Sequence, residues 1–218
     1  QFEQQMREHA EKTGVEIGES SGTLAGPAER KAAGSRSWTD GDTVQAAIGQ
    51  SDNQLTPIQL AAYCATIANN GTRLKTHLVD KVLDYSRKKT ISVTKPQTVD
   101  SIGVSQTNLN YVKAGMRYVV TGGTASGTFA NYGVAIAGKT GTAQTGNGSD
   151  NELFIGFAPY DKPQIAIAVV LEHGATGKYV QAVAKDIFDA YFYGKTVDAQ
   201  GNLVMPSAVS SSSAQAAG

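Results

Sequence analysis

Residues 153–172 read LFIGFAPYDKPQIAIAVVLE, and this stretch shows the clearest strand pattern in the chain. Two apolar runs, Leu153 to Ala158 and Gln164 to Glu172, flank the turn Pro159-Tyr160-Asp161-Lys162-Pro163. Runs of β-branched and aromatic residues that are separated by a short proline-containing turn predict an antiparallel hairpin. Because both faces of these runs are apolar, we expect the hairpin to lie in the middle of a sheet.

A helix is predicted directly after Thr56. The Thr56 hydroxyl can cap the helix, Pro57 fits its first turn, and the Gln59 side chain can reach back to complete a capping box. The helix should end at Asn69-Asn70-Gly71. Between these limits the side chains are apolar on nearly every side, which predicts a helix that is surrounded by the rest of the protein.

Two further helices are indicated by apolar residues at helical spacing. One begins behind the cap candidates Ser105 and Thr107 and ends at Gly122-Gly123, and the other runs from about Thr176 to Gly194. The apolar positions of the first are Leu109, Val112, Met116, Val119 and Val120. The predicted buried stripe of the second consists of Val180, Val183, Ile187 and Tyr191.

The remaining segments complete an α+β fold in which an antiparallel sheet is flanked by helices. Val79 to Tyr85 and Thr90 to Val93 predict a second hairpin. Gly18 to Asp42 is rich in Gly, Ser, Ala and Thr and predicts an ordered surface loop. We expect residues 1–195 to belong to one structured unit, and the Ser- and Ala-rich residues 196–218 to form a disordered tail.

The composition excludes several classes of function. Nineteen basic residues balance nineteen acidic ones, so the charge pattern offers no support for a nucleic-acid or anionic-membrane partner. Cys64 and three histidines cannot supply a zinc-type ligand cluster, and we expect no metal and no cofactor. No apolar stretch approaches the roughly 18 residues of a membrane-spanning helix.

One short motif is suited to catalysis: Lys139-Thr140-Gly141-Thr142, here called the KTGT segment, which follows a predicted strand and precedes a Gly- and Asn-rich loop. An extended backbone presents Lys139 and Gly141 to one face and Thr140 and Thr142 to the other. Gly141 leaves room for a substrate backbone to approach, and an unpaired backbone N–H nearby can donate to an oxyanion. Lys-Thr-Gly occurs in serine acyl-transfer enzymes that act on β-lactams and peptidoglycan stem peptides.

Other stretches agree with this interpretation in order and spacing. The longer ones are Gly41 to Gln50, Leu55 to Ala61, Ile67 to Gly71, Ala137 to Gln144, Phe154 to Pro159 and Ala184 to Phe188, and the shorter ones are Gly115-Met116, Val119-Val120 and Gly123-Thr124-Ala125. Together they closely resemble class B penicillin-binding proteins of the elongation type, over roughly Thr13 to Tyr193. The resemblance implies the C-terminal part of a D,D-transpeptidase domain with a penicillin-binding fold.

The resemblance also implies roles for individual residues. Lys139 would supply positive potential beside a catalytic serine and a substrate carboxylate, and Thr140 and Thr142 would bind that carboxylate. The Thr142 amide would be one oxyanion donor, and Gly141 would line the substrate cleft. The predicted catalytic residues are therefore Lys139 and Thr142, and the predicted substrate-binding residues are Thr140, Gly141 and Thr142. Residues 144–151 would form the rim of the cleft.

The family also uses a nucleophile motif S-x-x-K and a later S-x-N motif, and neither stands where it belongs in these 218 residues. Ser51-Asp52-Asn53 has the letters of S-x-N but directly follows Gly49-Gln50. Ser86-Arg87-Lys88-Lys89 has the letters of S-x-x-K but lies in a predicted exposed turn, and the two occur in reversed order. His173 is placed in a structural turn and is not expected to be catalytic.

We therefore expect the chain to supply the KTGT strand of a transpeptidase without its nucleophile, and to be inactive by itself. The expected ligands are stem peptides and β-lactams, bound together with an N-terminal half or in an oligomer, at the extracytoplasmic face of a bacterial inner membrane. Two alternatives remain open: a non-catalytic binding or assembly module of the same fold in cell-wall synthesis, and a small β-lactam hydrolase that uses Ser51 or Ser86. If the chain is the C-terminal part of a transpeptidase domain, apolar surface should also be exposed on the Thr56 helix and the sheet, where the missing part would cover it.

Overall fold

The computed structural model describes residues 10–146 and 148–205. The helices of this part of the chain are α1 (Pro27–Ala32), α2 (Asp40–Ala47), α3 (Pro57–Ala68), α4 (Gln106–Thr121), α5 (Ser126–Phe129) and α6 (Gly177–Tyr193). The strands are β1 (Thr72–Leu74), β2 (Lys81–Leu83), β3 (Thr90–Val93), β4 (Thr98–Ser101), β5 (Ala137–Ala143), β6 (Asn151–Ala158), β7 (Ile165–Leu171), β8 (Thr196–Val197) and β9 (Leu203–Val204).

The main sheet is antiparallel and has the strand order β5-β6-β7. The predicted hairpin of β6 and β7 is confirmed, with Phe154 opposite Val169. Strand β6 is central, as expected from its apolar residues on both faces. Strand β7 pairs only with β6 among the strands of the described residues, so the prediction of a central position holds for one of the two strands.

A hydrophobic cluster covers each face of the main sheet. On one face Phe154 packs with α5 and α6, and its cluster includes Phe129 and Phe188. On the other face Phe157 packs with α3 and α4, in a cluster that includes Cys64 and Met116. The sheet is therefore enclosed between helices, as the α+β prediction requires.

The predicted start of α3 is confirmed in detail. The Thr56 hydroxyl accepts a hydrogen bond from the Gln59 N–H at 3.3 Å, and the Gln59 side chain accepts one from the Thr56 N–H at 2.8 Å. Gln59 is almost fully buried, and its amide also donates to the carbonyl oxygens of Ala10 and Glu11. One side chain thus closes the capping box and ties the helix to the segment that precedes it.

Helix α6 has the predicted extent and ends at Gly194, but its predicted buried stripe is wrong. Val180 is buried as expected, whereas the exposed fractions of Val183, Ile187 and Tyr191 are 40%, 36% and 50%. The face against the sheet is formed by Val180, Gln181, Ala184 and Phe188. Apolar residues occupy two neighbouring sides of this helix. The side that carries the small Ala184 packs against the sheet, because it lets the helix lie closer to the strands than the side with Val183 and Ile187 would.

Three further segments differ from expectation or were missed. The predicted loop from Gly18 to Asp42 contains α1 and the first turn of α2, which opens with a capping box in which the Thr39 N–H donates to Asp42. The pair formed by β1 and β4 was not predicted, whereas the hairpin of β2 and β3 was. Local sequence patterns do not reveal these elements, because tertiary contacts and not local propensity stabilise them.

The predicted disordered tail is wrong for its first part. Strands β8 and β9 form a short antiparallel hairpin, and the carboxylate of Asp198 closes the turn by accepting the N–H groups of Gln200 and Asn202 at 2.9 and 2.7 Å. A local Asp-centred turn of this kind stabilises a hairpin that has little apolar surface. Residues 206–218, with the Ser-rich stretch, lie outside the described residues.

Candidate active site

The KTGT segment lies on β5, which forms one edge of the main sheet. Thr140 is opposite Phe154, and Thr142 is opposite Glu152. Because cross-strand partners share a face, both threonine side chains point toward the α6 side of the sheet. Lys139 and Gly141 point to the opposite side, which is the side of α3 and α4. The predicted alternation of the segment is thus present without a bulge.

Lys139 is exposed at this edge, and its ammonium group donates to the carbonyl oxygen of Thr140 at 2.5 Å. No carboxylate within residues 10–146 or 148–205 lies within 4.0 Å of the Lys139 Nζ atom. Without a carboxylate partner in this part of the chain, this ammonium group is accessible to an anionic ligand.

The hydroxyls of the two threonines have protein partners. Thr140 Oγ1 lies 2.8 Å from Thr124 Oγ1, where either hydroxyl can be the donor. Thr142 Oγ1 donates to the Glu152 carboxylate at 3.2 Å. Thr124 belongs to the connection between α4 and α5, so this helix pair also shapes the site.

Thr124 is itself fixed by α6. The buried Gln181 donates from its amide nitrogen to the Thr124 carbonyl at 3.3 Å and accepts from the Thr128 hydroxyl at 3.0 Å. In the sequence, Thr124 is distinguished only as part of Gly123-Thr124-Ala125, one of the stretches that resemble penicillin-binding proteins. Its place beside Thr140 depends on the packing of α6, which no local spacing reveals.

The outer edge of β5 is occupied at one point by a side chain from a distant part of the sequence. The Gln50 amide nitrogen donates to the Thr142 carbonyl at 3.0 Å, and the Gln50 amide oxygen accepts from the Gln144 N–H at 3.3 Å. In an antiparallel strand the N–H and the C=O of one residue point the same way. The Thr142 N–H, which was predicted to be an oxyanion donor, therefore also faces this outer edge.

The predicted rim of the cleft follows β5. In the described part of this rim, His173 holds the loop in place: its ring nitrogen Nδ1 lies 2.8 Å from the Ser149 carbonyl oxygen, and its N–H donates to Asn151 at 3.0 Å. These contacts give His173 a structural role in the rim.

Neither serine of the look-alike motifs is placed as a nucleophile. Ser86 lies in the turn between the exposed strands β2 and β3, and its hydroxyl donates to Asp84 at 2.8 Å. The Ser51 hydroxyl accepts from Arg30 at 3.2 Å. The only lysine atom that contacts either hydroxyl in the described part of the chain is the Lys88 backbone N–H, which donates to Ser86 at 3.4 Å. No lysine side chain there is placed to activate Ser51 or Ser86.

An ionic cluster centred on the buried Arg30 and Asp42 lies next to Ser51. Arg30 is only 7% exposed and bridges Asp42 and Asp52 at 2.7 and 2.6 Å, while its guanidinium stacks over the ring of Trp38. Arg36 forms a two-bond contact with Asp42. Hydrogen bonds from Arg36, Thr39 and Arg30 outweigh the effect of burial and hold the pKa of the Asp42 carboxyl far below its ordinary value.

The described residues contain no group of three or more His, Cys, Asp or Glu side chains that could hold a metal ion. None of the helices found in this part of the chain is long and apolar enough to cross a membrane.

Comparison with known proteins identifies the family. The family model described as the penicillin binding protein transpeptidase domain matches residues 3–191. Penicillin-binding protein 2A of Bacillus subtilis is 35% identical over 165 residues, which are 67% of this chain and 23% of that protein. The peptidoglycan D,D-transpeptidase MrdA of Acinetobacter baumannii is 34% identical over 209 residues, which are 87% of this chain and 30% of that protein.

Solved structures agree with the sequence matches. Penicillin-binding protein 2 of Pseudomonas aeruginosa, solved in complex with WCK 5153, has a TM-score of 0.70 at 34% identity. The match covers 90% of this chain and 43% of the Pseudomonas chain. The imipenem acyl-enzyme complex of penicillin-binding protein A from M. tuberculosis has a TM-score of 0.69 at 27% identity, and the match covers 85% of this chain and 41% of that one. The chain thus spans less than half the length of these proteins, and it belongs to the penicillin-binding protein transpeptidase domain family.

Proposed function

We propose that the chain is part of a D,D-transpeptidase that cross-links peptidoglycan stem peptides by serine acyl transfer, and that it supplies the substrate-binding and oxyanion edge of the site. The observation that carries this proposal is the KTGT segment on an edge strand, with an exposed lysine on one face and the Thr142 N–H directed outward. Because β5 pairs with β6 alone among the strands of the described residues, its outer edge can pair with an extended peptide that replaces the side chains now bound there.

The proposed roles follow from this placement. Lys139 attracts the stem-peptide carboxylate and raises the positive potential at the serine. Thr140 and Thr142 exchange their contacts with Thr124 and Glu152 for hydrogen bonds to that carboxylate. The Thr142 N–H donates to the oxygen that becomes negative when the carbonyl is attacked. Gly141 leaves the strand surface open on the lysine side.

The reaction itself is acyl transfer in two steps. A serine oxygen attacks the peptide carbonyl, the C–N bond of the peptide breaks, and the departing amine takes the proton. A second amine then attacks the resulting ester, releases the serine and completes the cross-link. A β-lactam carbonyl reacts in the first step in the same way, and the related protein from M. tuberculosis is an acyl-enzyme with imipenem.

We place the nucleophile outside these 218 residues. The proposal rests on the absence of S-x-x-K and S-x-N from the required positions of the sequence and on the structural contacts of Ser51 and Ser86. In this view residues 1–195 form the C-terminal part of a transpeptidase domain. The resemblance further suggests a location at the extracytoplasmic face of a bacterial inner membrane.

Penicillin labelling tests the proposal. The chain is incubated with a penicillin, with and without a separately produced N-terminal segment of a related transpeptidase that carries S-x-x-K and S-x-N, and intact masses are measured. We expect an adduct on the added segment, formed only when both chains are present. An adduct on this chain that disappears in Ser51→Ala or Ser86→Ala would overturn the placement of the nucleophile.

A mixture without any adduct is resolved by light scattering. If the two chains associate stably and remain unlabelled, the non-catalytic assembly module becomes the better description of the chain. If they do not associate, the experiment is repeated with the N-terminal segment of a closer relative before the proposal is abandoned.

A further inference from the structure

The Gln50 side chain makes a contact that the mechanism above does not use. Gln50 lies in the connection between α2 and α3, 92 residues before Thr142 in the sequence. Its amide nitrogen donates to the Thr142 carbonyl, and its amide oxygen accepts from the Gln144 N–H. Both contacts are made on the side of β5 that faces away from β6.

This arrangement imitates strand pairing. Residues two apart on a strand present a C=O and an N–H along the same edge, and a neighbouring strand satisfies them with its own peptide groups. A primary amide carries one acceptor and two donors side by side, so a single side chain can satisfy both groups. Gln50 therefore takes the place of one rung of a strand at an edge where the described residues provide no strand.

The three residues after Gln50 hold its backbone in place. Ser51 adopts a positive φ of 69°, a conformation that a non-glycine residue seldom takes unless its surroundings impose it. Asn53 donates from its amide to the Gln50 carbonyl at 3.0 Å and accepts from the Ala25 N–H at 2.9 Å.

Asp52 adds a charged anchor to the same turn. Its carboxylate binds the buried Arg30 guanidinium at 2.6 Å, and Arg30 in turn is held by Asp42. The stretch that resembles S-x-N thus serves as a rigid turn that directs Gln50 at β5. This accounts for Ser51, Asp52 and Asn53 without a catalytic role for any of them.

We propose that Gln50 is a positioning residue for acyl transfer: by bridging Thr142 and Gln144, it holds the end of β5 so that the Thr142 N–H points at the developing oxyanion. Strand β5 ends at Ala143, and a loop follows. A strand end that is paired on one side only would fray, and small displacements of an oxyanion donor are costly to the rate. This inference rests on the proposed function.

The first test concerns the contact and needs no activity. Amide hydrogen exchange of Gln144 is measured by NMR in the 218-residue chain, in Gln50→Ala and in a control, Gln45→Ala. Gln45 is an exposed residue of α2 for which no side-chain contact to β5 is seen in the described part of the chain. We expect about tenfold faster exchange of the Gln144 amide in Gln50→Ala and no change in Gln45→Ala. Equal exchange in all three would overturn the contact.

The second test concerns the role and uses the penicillin-labelling mixture. We expect Gln50→Ala to lower the acylation rate constant about 10- to 100-fold, since the oxyanion donor loses its support but remains present. Gln50→Glu is more informative. At pH 7 its carboxylate cannot donate to the Thr142 carbonyl and places a negative charge beside the oxyanion, whereas the protonated acid at low pH offers both a donor and an acceptor.

The rate of Gln50→Glu, relative to wild type, should therefore recover as the pH falls from about 6 toward about 4, the range in which a glutamate carboxylate takes up its proton. A ratio that is independent of pH, or Gln50→Ala acylation at the wild-type rate, would overturn the positioning role. If the wild-type mixture is not acylated at all, the proposed function fails, and the role of Gln50 in it fails too. The exchange measurement still distinguishes that failure from the absence of the contact.

Discussion

The ring of Phe154 occupies the space beside Gly138, where a Cβ atom would come within 2.4 Å of the Phe154 Cζ atom. Gly138 directly precedes Lys139, and Phe154 is fully buried and stacked on Phe129 at 5.3 Å between ring centroids. The glycine thus lets a large core side chain of β6 lie across the strand that carries the site. Core packing and the position of the KTGT segment are therefore coupled through one residue.

Gly138→Ala should lower the free energy of unfolding by about 1–3 kcal/mol, because the new methyl group forces the Phe154 ring or β5 to move. Gly141→Ala is the matched control on the same strand. Its Cβ would meet Leu153 at 3.5 Å, an ordinary contact, so its stability should change by less than about 0.5 kcal/mol. Urea unfolding followed by circular dichroism measures both. Equal effects of the two substitutions would contradict the coupling.

Phe154→Ala should lower the free energy of unfolding by about 3–5 kcal/mol, since the ring is fully buried and the surrounding aromatic side chains cannot fill the space that it leaves. Tyr85 provides the contrast, because it is a fully exposed aromatic residue near the turn between β2 and β3. Tyr85→Ala should change stability by no more than about 0.5 kcal/mol. Thermal and urea unfolding would reveal a misplaced core if the two changes were similar.

The elements that the sequence predicted are those with a local cause. The capping box at Thr56, the proline-bounded turn between β6 and β7, and the alternation of the KTGT segment each depend on residues a few positions apart. Short-range patterns of this kind are readable without the fold.

The elements that were missed have long-range causes. Helices α1 and α2 lie in a Gly- and Ser-rich stretch and are joined through the contact of Arg30 with Asp42. Thr124, which contacts Thr140, is bound through its carbonyl by Gln181 of α6, and Gln50 contacts β5 from a distant part of the sequence. Three of the four residues in the predicted buried stripe of α6 lie partly exposed, because helical periodicity cannot distinguish two adjacent apolar faces. The four residues of the KTGT segment could therefore be predicted from the sequence. The contacts that hold this segment in place could not.

The Cys64 thiol should be unreactive in the folded chain. The side chain is fully buried on α3, and this burial raises its pKa to about 12. At pH 8 a reagent cannot reach the buried sulfur, and almost none of the thiol is in the reactive thiolate form. A disulfide-exchange reagent should therefore label the protein only as fast as it unfolds, and immediately in denaturant. Fast stoichiometric labelling without denaturant would contradict the packing of α3 against the sheet.

Asp189 on α6 should make the protein sensitive to acid. Burial acts to raise the pKa of this carboxyl, but hydrogen bonds from Lys185, Lys195 and Tyr132, each at 2.7 Å, outweigh it and lower the pKa to about 2. A pKa that is lower in the folded state than in the unfolded one stabilises the fold at higher pH. That stabilisation, about 2 kcal/mol, is present above about pH 4 and is lost as the pH falls toward 2.

The substitution Asp189→Asn tests this assignment. Its free energy of unfolding should lie below that of wild type at pH 7, because the two lysines lose their common anion. The difference should shrink as the pH falls from 4 to 2, since protonation then removes the charge of Asp189 in wild type as well. Urea unfolding at several pH values provides the comparison, and a constant difference over this range would show that the carboxyl is not the titrating group.

Lys139→Gln should separate function from stability. Lys139 is exposed and contacts only the Thr140 carbonyl among the described residues, so its loss should change the free energy of unfolding by less than about 0.5 kcal/mol. The control is Lys162→Gln, which removes the same charge from the exposed turn between β6 and β7. In the penicillin-labelling mixture we expect Lys139→Gln to reduce acylation by at least about 100-fold and Lys162→Gln to leave it unchanged. A similar small effect of both substitutions would mean that net charge, and not the ammonium group on β5, attracts the substrate.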